Sequence, residues 1–421
     1  MEDLLFLSHR IPYPPNKGDK IRSWNILKYL ARSYRIHLGA FVDDPRDLRY
    51  RDRLASMCAS VYLPPLHPAT RRVCSLSGLI HKLPLSIPYY HDRSMQEWVD
   101  SRLQLEGLQR IFVFSSPMAQ FVMNRRASSC RRVIDFVDVD SDKWRQYADH
   151  KHWPLSWLYR REAEQLLMFE KRVAMTFDSS IFVSAMEAEL FKRLVPEAEE
   201  RTGFLDNGVD GEYFSAEMDY VTPYDSQYRI IVFTGVMDYW ANVHAVQWFA
   251  RYVMPKVREA GPSARFVIVG ARPSGEVQKL ADLPSVVVTG AVPDVRPYLA
   301  HAHVAVAPLR IARGVQNKVL EAMAMAKAVV ATPAAVEGIE FTNHEVLQVV
   351  ESDKEFASRV IHLLGTDMPV SAPESRQWVA ERYDWNRNLD RIGALLESAP
   401  RQGQLPDVAG RRPAFQDGRP A

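Results

Sequence analysis

The sequence predicts an α/β protein made of two doubly wound parallel sheets. Two series of short apolar runs alternate with helical segments, as parallel sheets require, because their strands are buried on both faces and joined by helical crossovers. With 421 residues, the chain is long enough for two domains of about 200 residues each. Hydrophobic residues at 47% and charged residues at 25% are values typical of globular proteins.

Charge and cysteine content exclude several classes of protein. The formal net charge of +2 is too small to indicate a nucleic-acid partner. Cys58, Cys74 and Cys130 lie far apart without a CxxC pair, so they predict neither a disulfide framework nor a zinc site. The N-terminal apolar run is too short for a signal peptide, and no window reaches the roughly 18 apolar residues of a spanning helix. We therefore expect a cytoplasmic protein.

The first series of apolar runs lies in residues 1–205, which we predict to be the first domain. The run Leu4–Ser8 leads into a proline-rich loop with Gly18, Asp19 and Lys20, and then into an amphipathic helix through about Arg32. Ligands of doubly wound sheets bind beyond the carboxyl ends of the strands, although one glycine in a loop also fits a plain turn. The further predicted strands are Arg35–Val42, Val61–Leu63, Ile111–Phe114, Val133–Phe136 and Ile181–Val183.

Three aspartates at alternate positions, Asp138, Asp140 and Asp142, follow the strand predicted over Val133–Phe136. This spacing fits a metal-binding DxD motif. It also fits a loop or N-cap aspartate at 138.

Two segments of the first domain, residues 71–90 and 150–177, combine apolar, aromatic and basic residues. Trp153, Trp157 and Tyr159 are followed by Arg160 and Arg161. Such residues on one amphipathic helix dock on an anionic membrane face. The alternative is a core helix with a solvated charged side.

The second series of runs lies in residues 206–375, the second predicted domain, which opens with the Asn207-Gly208 turn dipeptide. The loop after its first strand carries Gly235 and leads to a helix that we expect to be N-capped by Asn242. The predicted strands are Ile230–Phe233, Phe266–Val269, Val286–Thr289, Val304–Pro308, Ala328–Ala331 and Val346–Val350.

The sequence pattern of residues 310–332 predicts a loop, then a helix from about Asn317 to Met325, and then a buried strand. With Asn317 as N-cap, the free N–H groups and the helix dipole favour an anion such as phosphate. Lys318 and Glu321 share one helical face, where a carboxylate accepts hydrogen bonds from a ribose diol and an ammonium holds a diphosphate. The residue types thus indicate a nucleotide-sugar site, and the alternative is an ordinary exposed helical pair.

The run VLEAMAM at 319–325 resembles the nucleotide-sugar signature of the retaining glycosyltransferase family 4. This family has the GT-B fold, two Rossmann-like doubly wound domains facing a central cleft. The resemblance makes Glu321 the ribose-binding Glu, and Lys318 fits the K-x-x-E form of a subset. The first Glu of the pattern falls on Arg313 here, so its role is either absent or supplied by Gly314, Gln316 and Asn317.

The resemblance implies roles for further residues. Asp138, Gly18 and Asp19 would be catalytic, and Lys20 and Arg22 would bind the acceptor. A helix over 376–398 would cross back to complete the first domain, and the tail 399–421 is expected to be disordered because it has too little apolar content to pack. GT-B enzymes need no metal, so no cofactor is expected and the DxD reading, which belongs to the GT-A fold, is disfavoured. The donor-binding residues would be Glu321, Lys318, Arg313, Gly314, Val315, Gln316, Asn317, Gly235, Gly270, Arg272 and Val292.

The whole set of motifs looks closest to the sugar transferases associated with PEP-CTERM/exosortase exopolysaccharide clusters. The implied reaction moves a sugar, with retention, from a nucleotide diphosphate sugar to a lipid-linked saccharide acceptor. The implied location is the inner face of the cytoplasmic membrane, with its anionic surface as a peripheral partner. The alternatives are a nucleotide-sugar epimerase on the same fold, or a sugar-nucleotide binding scaffold without catalysis.

Overall fold

The computed structural model describes residues 1–123, 127, 129–149, 151–312, 315–341, 343–365 and 371–397. Contacts divide the chain into two compact units. The first is Met1–Asp206 together with the chain from Leu389 onward, and the second is Asn207–Asn388. Arg313, Gly314 and the tail 399–421 lie outside the described residues.

The described residues of the first unit form a seven-stranded parallel sheet in the order β3-β2-β1-β4-β5-β6-β7. Its strand β1 is apolar from Leu4 to Leu7, and these four residues are fully buried. The strands are β1 Glu2–Ser8, β2 Tyr34–Ala40, β3 Ser60–Tyr62, β4 Leu108–Phe114, β5 Arg131–Val137, β6 Ser179–Phe182 and β7 Thr202–Phe204.

Helices of the first unit connect these strands. Ser184 caps the last of them by accepting a hydrogen bond from the Glu187 N–H, as its position before the helix predicts. The helices are α1 Gly18–Leu30, α2 Arg51–Ala55, α3 Pro68–Ser75, α4 Ser77–Ile80, α5 Ser86–Tyr90, α6 Arg93–Arg102, α7 Asp140–Asp149, α8 Leu155–Thr176 and α9 Ala185–Leu194.

The second unit has a six-stranded parallel sheet over its described residues, in the order β10-β9-β8-β11-β12-β13. The strands are β8 Arg229–Thr234, β9 Ala264–Val269, β10 Val286–Gly290, β11 Val304–Ala307, β12 Val329–Ala331 and β13 Leu347–Val349. The helices are α10 Trp240–Trp248, α11 Met254–Ala260, α12 Gly275–Gln278, α13 Arg296–Ala300, α14 Asn317–Ala324, α15 Asp353–Leu364, α16 Pro373–Arg382 and α17 Trp385–Glu397.

The α/β fold class with two parallel sheets is confirmed, and every run predicted as a strand is a strand with bounds shifted by a few residues. The segment expected as one helix over 376–398 consists of α16 and α17. Arg376 of α16 donates hydrogen bonds to the carbonyl oxygens of Phe214 and Ala324, so α16 belongs to the second unit. The chain passes to the first unit within α17. No helix in the described ranges is long and apolar enough to cross a membrane.

Candidate functional site

The start of helix α14 lies at the switch point of the second sheet. Strands β8 and β11 are neighbours there, and the chain order reverses between them. Loops after such strands run in opposite directions and leave a crevice at the carboxyl edge, which is where doubly wound sheets bind ligands. The loop after β8 carries Gly235, and the loop after β11 leads into α14.

Lys318 links these two loops. Its ammonium donates a hydrogen bond to Oδ1 of Asn242 and lies 4.2 Å from the centroid of the Phe233 ring. A Cβ added at Gly235 would come within 2.8 Å of the Asn242 Nδ2 and 3.2 Å of the Lys318 Nζ. Glycine at 235 therefore leaves the space that this cation occupies.

Burial shifts the pKa values of Lys318 and Glu321 toward each other. It lowers the pKa of Lys318 to about 7 and raises that of Glu321 to about 7, and in each case the opposite charge of the other residue partly offsets the shift. Within the described chain, the Glu321 carboxylate makes no hydrogen bond or ion pair. A partly buried, unpartnered carboxylate beside a desolvated cation is typical of a ligand site.

The predicted N-cap roles of Asn317 and Asn242 are wrong. Gln316 occupies the cap position of α14 and its side chain makes no capping bond, while Asn317 is the first helical residue. The Asn317 Oδ1 is buried and has no hydrogen-bond partner in the described part of the chain. Helix α10 begins at Trp240, so Asn242 lies inside it and donates to the Val236 carbonyl oxygen at 2.9 Å.

The other predicted donor-binding residues that the structure describes lie on loops at the same edge of the sheet. Gly270 packs against the Gly235 backbone so closely that an added Cβ would be 1.6 Å from the Gly235 oxygen. Arg272 is exposed and pairs with Asp238 at 3.1 Å. Val292 and Val315 are partly buried against the core of the second unit. Arg313 and Gly314 lie outside the described residues.

A second polar cluster lies at the switch point of the first sheet, between β1 and β4. His9 follows β1, and its ring is stacked on Phe114 at 5.8 Å. Its Nε2 lies 3.3 Å from Oδ2 of Asp19, to which Arg10 also donates at 2.7 Å. Burial alone would raise the pKa of Asp19, but the bonds and charges of His9 and Arg10 outweigh it and hold that pKa well below its usual range.

Sequence reasoning missed His9 and Arg10. Their position directly after the buried strand β1 was the available signal, because side chains at a carboxyl strand end face the ligand edge. The predicted residue Gly18 is exposed at the start of α1, and an added Cβ there would meet no neighbour within 4 Å. Of these two predicted residues, Asp19 is therefore held by hydrogen bonds and charges, whereas Gly18 has free space around it.

Asp138 follows β5 at a strained turn. Val137 has a φ of 72°, a left-handed conformation that is a genuine outlier for a β-branched residue and is often found at functional sites. The Asp138 carboxylate accepts a hydrogen bond from the Lys143 ammonium at 2.6 Å, and Asp140 accepts from the same ammonium at 3.4 Å. The ammonium therefore occupies the space where a DxD motif would hold a cation.

Asp142 points elsewhere. It is buried and accepts hydrogen bonds from Arg145 and Gln146 on its own helix. Among the residues that the structure describes, no group of three His, Cys, Asp or Glu side chains is arranged to hold a metal ion.

Lys20 and Arg22, the predicted acceptor-binding residues, are buried. The Lys20 ammonium donates to Asp47 at 2.6 Å. Arg22 donates to Asp135 at 2.7 Å and to the Leu205 carbonyl oxygen at 2.8 Å. Both cations therefore have internal partners, as buried charges require, and their binding role stays a prediction.

Comparison with known proteins gives a family match within the second unit and structural similarity over most of the chain. Residues 228–366, within the second unit, match the family described as glycosyl transferases group 1. Sucrose-phosphate synthase from Thermosynechococcus elongatus has a TM-score of 0.64 at 16% identity, over 94% of this chain and 98% of that chain. Anabaena HepE in complex with UDP has a TM-score of 0.61 at 14% identity, over 94% and 99%.

A glycosyltransferase from Rickettsia africae has a TM-score of 0.62 at 14% identity, again over 94% of this chain and 99% of that chain. No match was found among curated protein sequences. At such identities the structural similarity defines the fold, and that fold is GT-B.

Proposed function

We propose that the protein is a retaining glycosyltransferase that transfers a sugar from a nucleotide diphosphate sugar to a lipid-linked or oligosaccharide acceptor in exopolysaccharide biosynthesis. The observation that carries the donor half of this proposal is the group formed by Lys318, Asn242 and Gly235, with Glu321 one turn further along α14.

The chemistry of this group suits a nucleotide sugar. The amide of Asn242 positions the Lys318 ammonium without neutralising it, so its charge stays available for a diphosphate, and the first-turn N–H groups of α14 add to it. Glu321 retains its full hydrogen-bonding capacity for a diol. The match of residues 228–366 to glycosyl transferases group 1 and the UDP bound by Anabaena HepE support this assignment.

The cluster in the first unit suits the acceptor. Asp19 and Asp138 each form an ion pair with a neighbouring cation, and carboxylates accept hydrogen bonds from sugar hydroxyls. We assign Asp138 to the reacting centre, because the strained turn at Val137 fixes its position. We infer retention and the lipid-linked acceptor from the family resemblance. We infer exopolysaccharide biosynthesis from the resemblance to sugar transferases associated with PEP-CTERM/exosortase exopolysaccharide clusters.

The test is product analysis with purified full-length protein. Radiolabelled nucleotide sugars are supplied one at a time with a bacterial lipid extract or with oligosaccharides, and the products are separated by chromatography. NMR of the isolated product then gives the anomeric configuration. A Lys318→Ala variant serves as the matched inactive control.

We expect label in the lipid or oligosaccharide fraction for one donor, with retained configuration. Inverted configuration would refute retention alone. Conversion of the donor to another nucleotide sugar, with no acceptor product, would establish the epimerase instead. Tight donor binding without any product would favour the scaffold.

A further inference from the structure

One face of the first unit exposes an unusual density of large apolar side chains. None of the residues of α3 is buried, and Val73 in this helix is 70% exposed. Ile80 of α4 is 81% exposed, and Trp153 and Trp157 at the start of α8 are 82% and 59% exposed. Exposed apolar side chains that cluster in this way mark interaction sites, whereas scattered ones need no explanation.

The two segments that carry these side chains adjoin each other. Arg161 of α8 donates a hydrogen bond to the Gly78 carbonyl oxygen at 2.5 Å. Glu162 accepts from the Leu85 N–H at 2.7 Å, and its side chain is only 1% exposed. These buried polar contacts fix α4 and the loop after it against α8, so the exposed residues of both segments form one surface.

The same surface is basic. Residues 63–91 and 151–161 each contain three Lys or Arg residues and neither contains Asp or Glu. Three of these six cations, Arg71, Arg160 and Arg161, pair with flanking carboxylates. Arg72, Lys82 and Lys151 are exposed, and none of the three forms an ion pair within the described chain. Their charge is therefore available to an external partner.

We propose that this surface, formed by residues 71–82 and 151–160, docks on a lipid bilayer that contains anionic lipid. Tryptophan side chains insert at the level of the headgroups, where an apolar ring with a polar edge is stable. Aliphatic side chains such as Ile80 bury in the acyl boundary, and Lys and Arg contact the anionic headgroups. We propose a bilayer as the partner, and not a second protein, because exposed apolar side chains lie beside cations that form no ion pair.

Vesicle co-sedimentation with full-length protein tests the proposal without any donor or turnover. Vesicles of phosphatidylcholine are compared with vesicles that also contain about 30% phosphatidylglycerol. The charge variant combines Arg72→Glu, Lys82→Glu and Lys151→Glu, and its matched control combines Arg251→Glu, Arg258→Glu and Lys279→Glu on the second unit. The apolar variant combines Trp153→Ala and Trp157→Ala, and its control is Tyr252→Ala, a ring that is 57% exposed.

We expect the wild-type protein to bind the anionic vesicles, and to bind them less at high salt because exposed charges are screened. The charge variant should lose about a hundredfold in partition coefficient, since each surface cation contributes roughly a fivefold factor. The apolar variant should lose about tenfold or more, and both controls should bind like the wild type.

Equal binding to both kinds of vesicle, binding to neither, or equal losses in the controls would overturn the proposal. So would self-association in solution that disappears in the apolar variant, because a second copy would then cover the surface. A protein that binds anionic vesicles but transfers no sugar would refute the proposed function and leave this surface intact.

Discussion

Lys318 donates its hydrogen bond to Asn242, a residue 76 positions earlier in the chain, so its ammonium group joins the helices that follow β8 and β11. A neutral amide partner orients this cation without cancelling its charge. A carboxylate in the place of Asn242 would neutralise the ammonium and weaken its attraction for an anion.

The first prediction is that Lys318 and Glu321 bind the donor. We expect Lys318→Ala and Glu321→Ala each to weaken nucleoside diphosphate binding by about tenfold or more, since hydrogen bonds to charged groups are worth roughly 1.5–3 kcal/mol. Calorimetry measures the affinity, and circular dichroism checks the fold. Lys279→Ala, an exposed lysine of the same unit, is the control, and wild-type affinity in both site variants would rule the assignment out.

Donor affinity should depend on pH with a maximum near 7. Lys318 loses its charge as the pH rises through its lowered pKa of about 7, which weakens diphosphate binding. Glu321 becomes protonated as the pH falls through its raised pKa of about 7, which removes an acceptor for the ribose. Titration with an intact nucleotide diphosphate sugar measures both limbs, because a terminal phosphate would itself titrate near pH 6.

Two variants separate the limbs of this profile. Lys318→Met should lose the decline on the alkaline side, and Glu321→Gln should lose the decline on the acid side. An unchanged profile in both variants would mean that other groups control the pH dependence.

Asp138 is expected to act on the reacting sugar. Asp138→Asn should lower kcat by about a hundredfold or more, a loss typical of a catalytic carboxylate, and should leave donor affinity unchanged, because Asp138 belongs to the first unit. Asp142→Asn is the matched control, since that side chain bonds to its own helix. Steady-state kinetics and calorimetry give the two readouts, and equal kcat losses in the two variants would point to a structural effect.

Sugar transfer should not require a divalent metal ion. The helix N-terminus and Lys318 would meet the charge of the diphosphate, and the Lys143 ammonium lies within hydrogen-bonding distance of both Asp138 and Asp140. Initial rates in EDTA should equal those in Mg²⁺ or Mn²⁺. Activity that EDTA abolishes and Mn²⁺ restores would favour the DxD reading.

The ion pair between Arg22 and Asp135 should support the fold of the first unit. The side chains are 1% and 0% exposed, so Arg22→Met leaves a buried carboxylate without its cation, at a cost of about 3–5 kcal/mol. Urea unfolding measures the loss, and Arg22→Met with Asp135→Leu should recover part of it. Donor binding to folded protein should persist, and a stable Arg22→Met variant would contradict the expected role.

The strands could be predicted because buried parallel strands are continuous apolar runs. Strand β7 was missed because Thr202–Phe204 is only three residues long and has little apolar character. Helices α3 to α6 are only four to ten residues long, which leaves little sequence in which an apolar periodicity could predict them.

Pairings between distant residues could not be predicted. Lys20 and Arg22 sit in a polar loop and the helix after it, which suggested a ligand, but their carboxylate partners lie 27 and 113 residues away. Asn317 and Asn242 are good N-cap residue types, yet each helix begins earlier than they would require. That Lys318 and Glu321 share one helical face could be predicted, because their spacing is local to one helix.

The contact between Gly270 and the Gly235 backbone has a consequence for redesign of donor preference. Any side chain at 270 would collide with the main-chain oxygen of Gly235. Moving the Gly235 backbone would in turn displace Lys318 and Asn242, which lie next to it. Sequence libraries aimed at the proposed donor site should therefore leave Gly235 and Gly270 unchanged and vary Arg272, which is exposed and pairs with Asp238.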